Sequence, residues 1–277
     1  MTIIEAIILG LIQGLTEFIP ISSTAHLTIA GKYLGLIDPN NPESWTAFMA
    51  VIQLGTLVAV IYYFYKEIFE IGGAFLSENI SKRLPFKEQS NNSKMGWYVF
   101  FASIPIVSIG LLLKKVIEGN LTKDLNIIAF SLIGLGIILF IAEKVGKFNR
   151  DFDKLNSKDA ILVGLAQCIA LIPGSSRSGT TITAGLFLGL KRDVAAKFSF
   201  LLSIPAIFGS GLYEFYSEFE HLSGDVFLPL LVATIVSAIS GYFAIAFLLK
   251  YLKSHNTNLF IIYRIAAGLV ILAIMNI

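Results

Sequence analysis

Two short polar segments interrupt an otherwise apolar chain, and the first combines an acid, three hydroxyls and an imidazole. It reads Gln13-Gly-Leu-Thr-Glu-Phe-Ile-Pro-Ile-Ser-Ser-Thr-Ala-His26. Gln13 and Glu17 are four residues apart and share one helix face, while Ser23 and His26 follow the proline. Such groups are costly inside a membrane unless they face water or a ligand. A structural alternative stays open, in which Ser22 or Ser23 caps a helix after the proline and Glu17 forms local hydrogen bonds.

The second polar segment is rich in hydroxyls and glycine and contains one arginine. It reads Pro173-Gly-Ser-Ser-Arg-Ser-Gly-Thr-Thr181 and is predicted to open a helix, whose N-terminus favours anions. Gly174 lets the backbone approach a ligand closely, and Arg177 offers a planar fork that suits phosphate oxygens. The structural alternative is an ion pair between Arg177 and a carboxylate such as Glu17, which could open when phosphate binds. The segment predicts oxyanion recognition.

Together the two segments contain the groups that phosphoryl transfer needs. They supply a nucleophile, a base, an anion clamp and a carboxylate able to hold a hard divalent cation. Because the route into such a site, besides water, is lateral from lipid, a phosphorylated lipid is the predicted substrate. Two other polar residues are ambiguous. Gln53 either lines the cavity or bonds to a neighbouring helix, and Arg264 either orients the site or has a structural partner.

The two segments are copies of one element. The matched pairs are Gly10 with Gly164, Gln13 with Gln167, Pro20 with Pro173, Ser22 with Ser175 and Ser23 with Ser176. The offset is 154 residues for the first two pairs and 153 for the other three. A half-chain repeat in a very apolar protein is typical of a two-fold membrane architecture. The predicted organisation is one integral membrane domain made of two inverted repeats, about 1–150 and about 151–277.

The composition indicates a lipid environment. Of 277 residues, 55% are hydrophobic and 14% charged, against about 25% charged in a soluble domain. The net charge of +2 gives no indication of a nucleic-acid partner. The single cysteine, Cys168, excludes an intrachain disulfide and a cysteine-based metal site. The N-terminus lacks a basic region and a small-residue cleavage site, so no removable signal peptide is expected.

Six stretches are long and apolar enough to cross a bilayer, which needs roughly 20 residues. They lie near 45–65, 97–115, 125–143, 198–216, 227–249 and 259–276. The two repeated segments are shorter and broken, so each is predicted to be a re-entrant helix–loop–helix hairpin. The predicted fold class is therefore all-α, a polytopic membrane protein with six transmembrane helices and two such hairpins. Residues 66–96 are predicted to be a solvated connection.

The distribution of positive charge predicts the orientation. Fifteen of the 21 Lys and Arg residues fall in 66–96, 143–159, 191–197 and 250–258. The opposite side carries Lys32, Lys114, Lys115 and Lys123, together with an acidic loop at 217–226. The positive-inside rule then places the first set in the cytoplasm and both termini outside. Three crossings per half invert one half relative to the other, so the two hairpin tips are predicted to meet near the midplane.

Both polar segments strongly resemble the two signature motifs of the undecaprenyl-diphosphatase family, also called bacitracin-resistance proteins. The likeness covers nearly the whole chain, including Ile52-Gln-Leu-Gly55 and Tyr263-Arg264. The resemblance implies hydrolysis of undecaprenyl diphosphate to the monophosphate carrier and inorganic phosphate, aided by Mg²⁺ or Ca²⁺. It also implies recycling of this lipid for peptidoglycan, bacitracin resistance, and a bacterial inner-membrane location with a site reached from the external face. The sequence leaves a homodimer open.

The resemblance also carries over site residues. It places Gln13 and Glu17 in the E/Q-x-x-x-E element, Ser23 and His26 after it, and Ser176, Arg177, Ser178 and Thr181 in the P-G-x-S-R-S-x-x-T element. Because glutamine stands at position 13, one anionic metal ligand is missing. The expected cation site is therefore Glu17 with substrate phosphates and water.

The mechanism expected from these residues is a covalent one. The second segment, including Gly174, Ser176, Arg177, Ser178 and Thr181, would bind the diphosphate. Ser23 would attack the terminal phosphorus with His26 as proton acceptor, and Glu17 would hold the cation or orient His26. Attack by Ser176 or directly by water stays open.

Two other functions compete with hydrolysis. A polyprenyl-phosphate flippase could use the same inverted-repeat cavity. A lipid phosphatase of the phosphatidic-acid-phosphatase type is disfavoured because its Lys-x6-Arg-Pro and Pro-Ser-Gly-His elements do not occur in the sequence.

Overall fold

The computed structural model describes residues 1–217 and 226–275. Within these ranges the chain forms twelve α-helices and no β-strand beyond one isolated bridge between Arg150 and Leu190. The helices are α1 (Ile3–Glu17), α2 (Ser23–Tyr33), α3 (Pro42–Tyr63), α4 (Tyr65–Leu76), α5 (Asn91–Leu112), α6 (Lys114–Glu118), α7 (Leu125–Val145), α8 (Ser157–Gln167), α9 (Arg177–Phe187), α10 (Arg192–Ser217), α11 (Phe227–Leu252) and α12 (Asn258–Met275). The predicted acidic loop at 217–226 lies almost wholly outside the described residues.

Six of these helices are long and apolar enough to cross a membrane: α3, α5, α7, α10, α11 and α12. They coincide with the six predicted stretches, with boundaries that differ by at most six residues. Long apolar runs are the strongest signal that a membrane protein sequence carries, because the hydrocarbon core sets a minimum helix length. The prediction of an all-α polytopic membrane protein is confirmed.

The connection at 66–96 was predicted as a solvated loop and has no buried residue in its helix or turns, but it is partly helical. It contains α4, a π-helical turn at Ser77–Ser81 and a 3-10 turn at Phe86–Glu88. Ile68 and Ile71 of α4 are partly buried against the main core, which stabilises the helix by one-sided packing. Apart from Lys82 and Arg83, the charges in this segment therefore lie on helical turns.

Each repeated segment forms two short helices joined by a break. The four helices α1, α2, α8 and α9 have 11 to 15 residues. A helix of 15 residues is about 22 Å long, which is too short for a hydrocarbon core of about 30 Å. The segments therefore have the helix–loop–helix form predicted for re-entrant hairpins.

The second helix of each hairpin begins with the same cap, which corrects the predicted repeat register. Ser22 has φ 76° and Ser176 has φ 68°, and each side chain accepts a hydrogen bond from the backbone N–H three residues ahead. These caps are 154 residues apart, so the predicted shift to 153 at this point is wrong. Ser22 corresponds to Ser176, and Ser23 corresponds to Arg177. Matching identical residue types in the two halves gives the offset of 153, whereas matching the capping conformation of the backbone gives 154.

Each hairpin packs against membrane helices of the other half of the chain. α1 lies on α11, and α8 lies on α5. Glycines allow both contacts, because a Cβ at Gly14 would lie 2.6 Å from the Ser237 carbonyl oxygen and one at Gly164 would lie 2.5 Å from that of Ala102. Since three membrane helices separate the hairpins, the two enter the bundle from opposite ends.

Candidate active site

The two hairpin tips meet at the carboxylate of Glu17, the last residue of α1. Arg177, the first residue of α9, donates from Nη2 to Glu17 Oε1 at 2.5 Å. Ser23, the first residue of α2, donates from Oγ to Glu17 Oε2 at 2.7 Å, and Gln13 Nε2 donates to the same oxygen at 3.0 Å. The ion pair between Arg177 and Glu17 that the sequence suggested is present in this conformation.

A cavity of about 500 Å³ adjoins this meeting point. The hairpin residues on its wall are Glu17, Ser22, Ser23, Thr24, Pro173, Gly174, Ser176 and Arg177. Gln53 of α3 also lines it, which favours the first of the two predictions for that residue. The positions that the repeat makes equivalent, Ser23 and Arg177, therefore face one cavity.

Arg177 has unused hydrogen-bonding capacity at this cavity. Its Nη1 is buried and has no hydrogen-bond partner among the described residues. The residue also begins α9, and Ser23 begins α2, so two helix N-termini reach the same cavity wall. Helix N-termini and an arginine fork both favour anions. This arrangement suits an oxyanion better than any other class of ligand.

The remaining hydroxyls of the second segment bond mainly to protein groups. Ser176 Oγ caps α9 and lies 3.1 Å from Ser178 Oγ, which donates to the Ile19 carbonyl of the first hairpin at 3.2 Å. Thr181 donates to the Arg177 carbonyl at 2.7 Å and contacts Ser199 Oγ of α10 at 2.6 Å. Ser176 lines the cavity, whereas the other two hydroxyls hold α9 against its neighbours.

His26 bonds to groups other than Ser23. Its Nδ1 lies 2.7 Å from the Ser22 carbonyl oxygen and its Nε2 lies 2.6 Å from the Tyr263 hydroxyl, with the two rings stacked. A carbonyl only accepts, so Nδ1 carries the proton and Tyr263 donates to Nε2. In this conformation the group that accepts from Ser23 is Glu17. Sequence spacing does not indicate that Tyr263 is the partner of His26.

Arg264 connects the two hairpin tips through hydrogen bonds. It is 1% exposed and donates to the carbonyls of Leu132, Pro20, Gly174 and Ser175 at 2.9 to 3.4 Å. Gly174 has φ +86°, and a Cβ there would lie 2.5 Å from the Ile128 carbonyl oxygen, so this turn needs glycine. The sequence left Arg264 between an orienting and a structural role. The contacts show that it fixes one tip relative to the other.

The resemblance implies a divalent cation, and two groups beside the cavity fit one. No cluster of three or more His, Cys, Asp or Glu side chains occurs within the described ranges. Gln13 Oε1, however, is buried without a hydrogen-bond partner there, next to the Glu17 carboxylate that Gln13 Nε2 contacts. Amide and carboxylate oxygens are ligands that Mg²⁺ and Ca²⁺ accept, with phosphate oxygens and water completing the shell.

The fold and the site define a class of protein, namely a polytopic α-helical membrane protein with a polar site between two hairpin tips whose groups suit an oxyanion. A family model described as bacitracin resistance protein BacA matches residues 6–270, and the chain belongs to this family. A protein from Syntrophobacter fumaroxidans named undecaprenyl-diphosphatase is 54% identical over 268 residues, covering 97% of this chain and 95% of that protein. One of the same name from Chloroherpeton thalassium is 52% identical over 285 residues, covering 100% and 98%.

Proposed function

We propose that this protein hydrolyses undecaprenyl diphosphate to undecaprenyl phosphate and inorganic phosphate. The observation that carries this proposal is the buried Arg177, with an unpartnered nitrogen, on one cavity wall with Ser23 and Glu17. The relatives named undecaprenyl-diphosphatase support the same substrate. The product is the carrier lipid that peptidoglycan synthesis needs, and removing the diphosphate form removes the target of bacitracin. The names of the relatives give no support to the flippase alternative.

The first step is capture of the diphosphate. Phosphate oxygens bind Arg177 and the backbone N–H groups at the starts of α2 and α9, which are oriented before the substrate arrives. The terminal phosphate replaces Glu17 as the anionic partner of the Arg177 guanidinium. Ser176 adds a hydroxyl on the same wall, while Ser178 and Thr181 keep α9 in place.

The second step is transfer of the terminal phosphoryl group. Ser23 Oγ forms a bond to the terminal phosphorus as the bond from phosphorus to the bridging oxygen breaks, and undecaprenyl phosphate leaves. The Ser23 proton passes to Glu17, whose Oε2 already accepts from that hydroxyl at 2.7 Å. Water then attacks the phosphorus of the phosphoserine, the bond from phosphorus to Ser23 Oγ breaks, and the proton held by Glu17 returns to Oγ as inorganic phosphate is released. His26 is a positioning residue in this mechanism. Its hydrogen bonds with the Ser22 carbonyl and the Tyr263 hydroxyl fix the start of α2.

A divalent cation is part of the proposal. Gln13 Oε1 and Glu17 would hold Mg²⁺ or Ca²⁺, which when bound neutralises negative charge on phosphate oxygens. All residues assigned to chemistry belong to one chain, so the mechanism does not require a homodimer.

The proposed location is the bacterial inner membrane, with both termini external and the cavity open to the external face. The positive charge of the connections supports this orientation. Lys114 and Glu118, at the end of the bundle that this rule assigns to the outside, line the same cavity as Ser23 and Arg177.

The proposed function is tested by measuring phosphate release from undecaprenyl diphosphate by purified protein. The reaction is run with a chelator and then with Mg²⁺ or Ca²⁺ restored. We expect release of one phosphate per lipid that stops with the chelator and returns with the cation. Intact lipid after incubation with folded, cation-supplied protein would exclude hydrolysis, and movement of the lipid monophosphate across vesicles would then be measured.

A further inference from the structure

Part of the cavity wall is apolar and is not used by the proposed headgroup chemistry. This part consists of one face of α5, with Ile106, Val107 and Leu111, and one face of α10, with Ala206 and Ile207. We call the space between these two faces the α5–α10 slot.

The slot is open to the surroundings of the protein. Val107 and Leu111 line the cavity and yet are 43% and 59% exposed, and the cavity-lining Gly209 of α10 is also exposed. Residues that line a cavity and are exposed as well mark its opening. Gly209 lies eight residues before the end of α10, about 12 Å along the helix axis. This depth is within the hydrocarbon layer, so the opening faces lipid.

Two glycines keep the slot wide. A Cβ at Gly209 would meet no heavy atom within 4 Å, and one at Gly110 would meet only Leu171 Cδ2 at 4.0 Å. Gly211, two residues further along α10, differs, since a Cβ there would lie 2.5 Å from Leu54. Gly211 thus serves helix packing, whereas Gly110 and Gly209 border open space on facing walls.

At the external end of the slot, α6, which directly follows α5, contacts α10. Lys114 Nζ donates to the Tyr213 hydroxyl at 2.8 Å and lies 4.5 Å from the centre of that ring. Lys114 also pairs with Glu118 at 3.1 Å. The hydrogen bond to Tyr213 raises the pKa of Lys114 above its ordinary value, so the ammonium stays charged at neutral pH.

Building on the proposed function, we propose that the isoprenoid chain of the substrate leaves the cavity through the α5–α10 slot, beneath the Lys114–Tyr213 contact. The cavity of about 500 Å³ holds the diphosphate and the first isoprene units, but it is the size of a small-molecule pocket and cannot enclose a long polyprenyl chain. An exit at membrane depth lets the rest of the chain stay in lipid. Gly110 and Gly209 are then residues that determine which lipids bind.

Filling the slot tests this assignment. Gly209→Leu is compared with Gly209→Ala and with Gly134→Leu, a matched control on α7 where a Cβ also meets no atom within 4 Å. We expect Gly209→Leu to lower kcat/KM for undecaprenyl diphosphate about tenfold or more, mainly through KM. The smaller Gly209→Ala should have a weaker effect, and Gly134→Leu should match the wild type. A folded Gly209→Leu protein with wild-type kinetics would overturn the proposal.

Crosslinking to the wild-type protein tests the slot without relying on activity. The probe is a polyprenyl diphosphate with a photoreactive diazirine on an isoprene unit further along the chain, beyond the first units that the cavity holds. We expect labelled peptides from α5 and α10. Label on other helices, such as α7 and α12 beside His26, or no label on α5 and α10, would overturn the slot. A wild type that binds this probe at the slot but releases no phosphate would instead contradict only the proposed function.

Discussion

Glu17 joins the two halves of the site through both of its carboxylate oxygens. One oxygen accepts from Arg177 of the second hairpin, and the other accepts from Ser23 and Gln13 of the first. A buried ion pair gains little net stability, because desolvation of the two charges offsets their attraction. Such a pair is therefore well suited to exchange one anion for another. When a substrate phosphate replaces Glu17 on the guanidinium, the guanidinium keeps an anionic partner and the carboxylate keeps its hydrogen bonds from Ser23 and Gln13.

The residue types of the site were predictable from sequence, whereas their partners were not. An acid, hydroxyls and an arginine in apolar surroundings indicate function because each is costly there. The bond between His26 and Tyr263 joins residues 237 positions apart, and sequence spacing carries no information on such a contact. Proximity in sequence suggested that His26 serves Ser23, but the helix start turns the ring toward α12.

At the residue scale, Ser23→Ala tests the nucleophile. We expect kcat for phosphate release to fall about 100-fold or more, because the attacking oxygen is lost while the anion clamp remains. The matched control is Ser108→Ala, which removes an exposed hydroxyl on α5 away from the cavity. Quenched-flow measurements should detect phosphoserine in the wild type only. A Ser23→Ala protein with near-normal turnover would exclude the covalent mechanism through Ser23.

At the scale of elements, two short hairpins must be held in a fixed relation although neither crosses the membrane. Arg264 connects their tips through three tip carbonyls and joins them to α7 through a fourth, that of Leu132, and glycines allow α1 to pack on α11 and α8 on α5. The hairpins themselves were predictable, since proline and paired serines break short apolar runs. The register of the repeat was not predictable. Matching Pro-Ser-Ser in the two halves gives an offset of 153 residues, whereas the shared capping conformation at Ser22 and Ser176 gives 154.

Arg264→Leu tests the link between the tips. The substitution leaves carbonyls of both hairpins without a donor, and each buried unsatisfied group costs about 1–3 kcal/mol. We expect a clearly lower Tm in detergent, with Arg264→Lys intermediate because an ammonium keeps the charge but cannot span four carbonyls. A wild-type Tm for Arg264→Leu would show that the tips are held by other contacts.

A pair of glycine substitutions tests the seating of α1. At Gly14 a Cβ would lie 2.6 Å from the Ser237 carbonyl oxygen, whereas at Gly134 of α7 nothing lies within 4 Å. We expect Gly14→Ala to destabilise the protein by about 1–3 kcal/mol through overpacking. Gly134→Ala should be neutral or slightly stabilising, because alanine favours a helix by up to about 1 kcal/mol over glycine. Equal Tm values for the two variants would contradict the proposed close contact of α1 with α11.

At the scale of the whole molecule, the two halves share a backbone plan but carry complementary chemistry. With the 154-residue offset, Glu17 corresponds to Leu171 and Ser23 corresponds to Arg177. One half thus supplies the carboxylate and the hydroxyl, and the other supplies the guanidinium. Composition alone was enough to predict the membrane helices, because hydrophobicity over about 20 residues is a strong signal. The folded connection at 66–96 was missed, because α4 depends on tertiary packing of one narrow face.

The proposed orientation is tested with single cysteines in a Cys168→Ala background. Lys115→Cys lies at the end assigned to the outside, and Lys87→Cys lies in the connection assigned to the cytoplasm. We expect a membrane-impermeant maleimide to label Lys115→Cys in intact cells and Lys87→Cys only after the inner membrane is opened. The reverse pattern would place the cavity mouth in the cytoplasm.

The tip of the second hairpin is proposed to bind the diphosphate through Arg177, and the rest of the mechanism depends on this contact. The most direct test is kcat/KM for cation-supported phosphate release by Arg177→Ala beside Lys191→Ala, which removes a largely exposed cation outside the cavity. We predict a loss of about 100-fold or more for Arg177→Ala, as for removal of a donor that stabilises a developing oxyanion, and wild-type kinetics for Lys191→Ala. A folded Arg177→Ala protein that hydrolyses undecaprenyl diphosphate like the wild type would contradict the proposed role of Arg177 in binding the diphosphate.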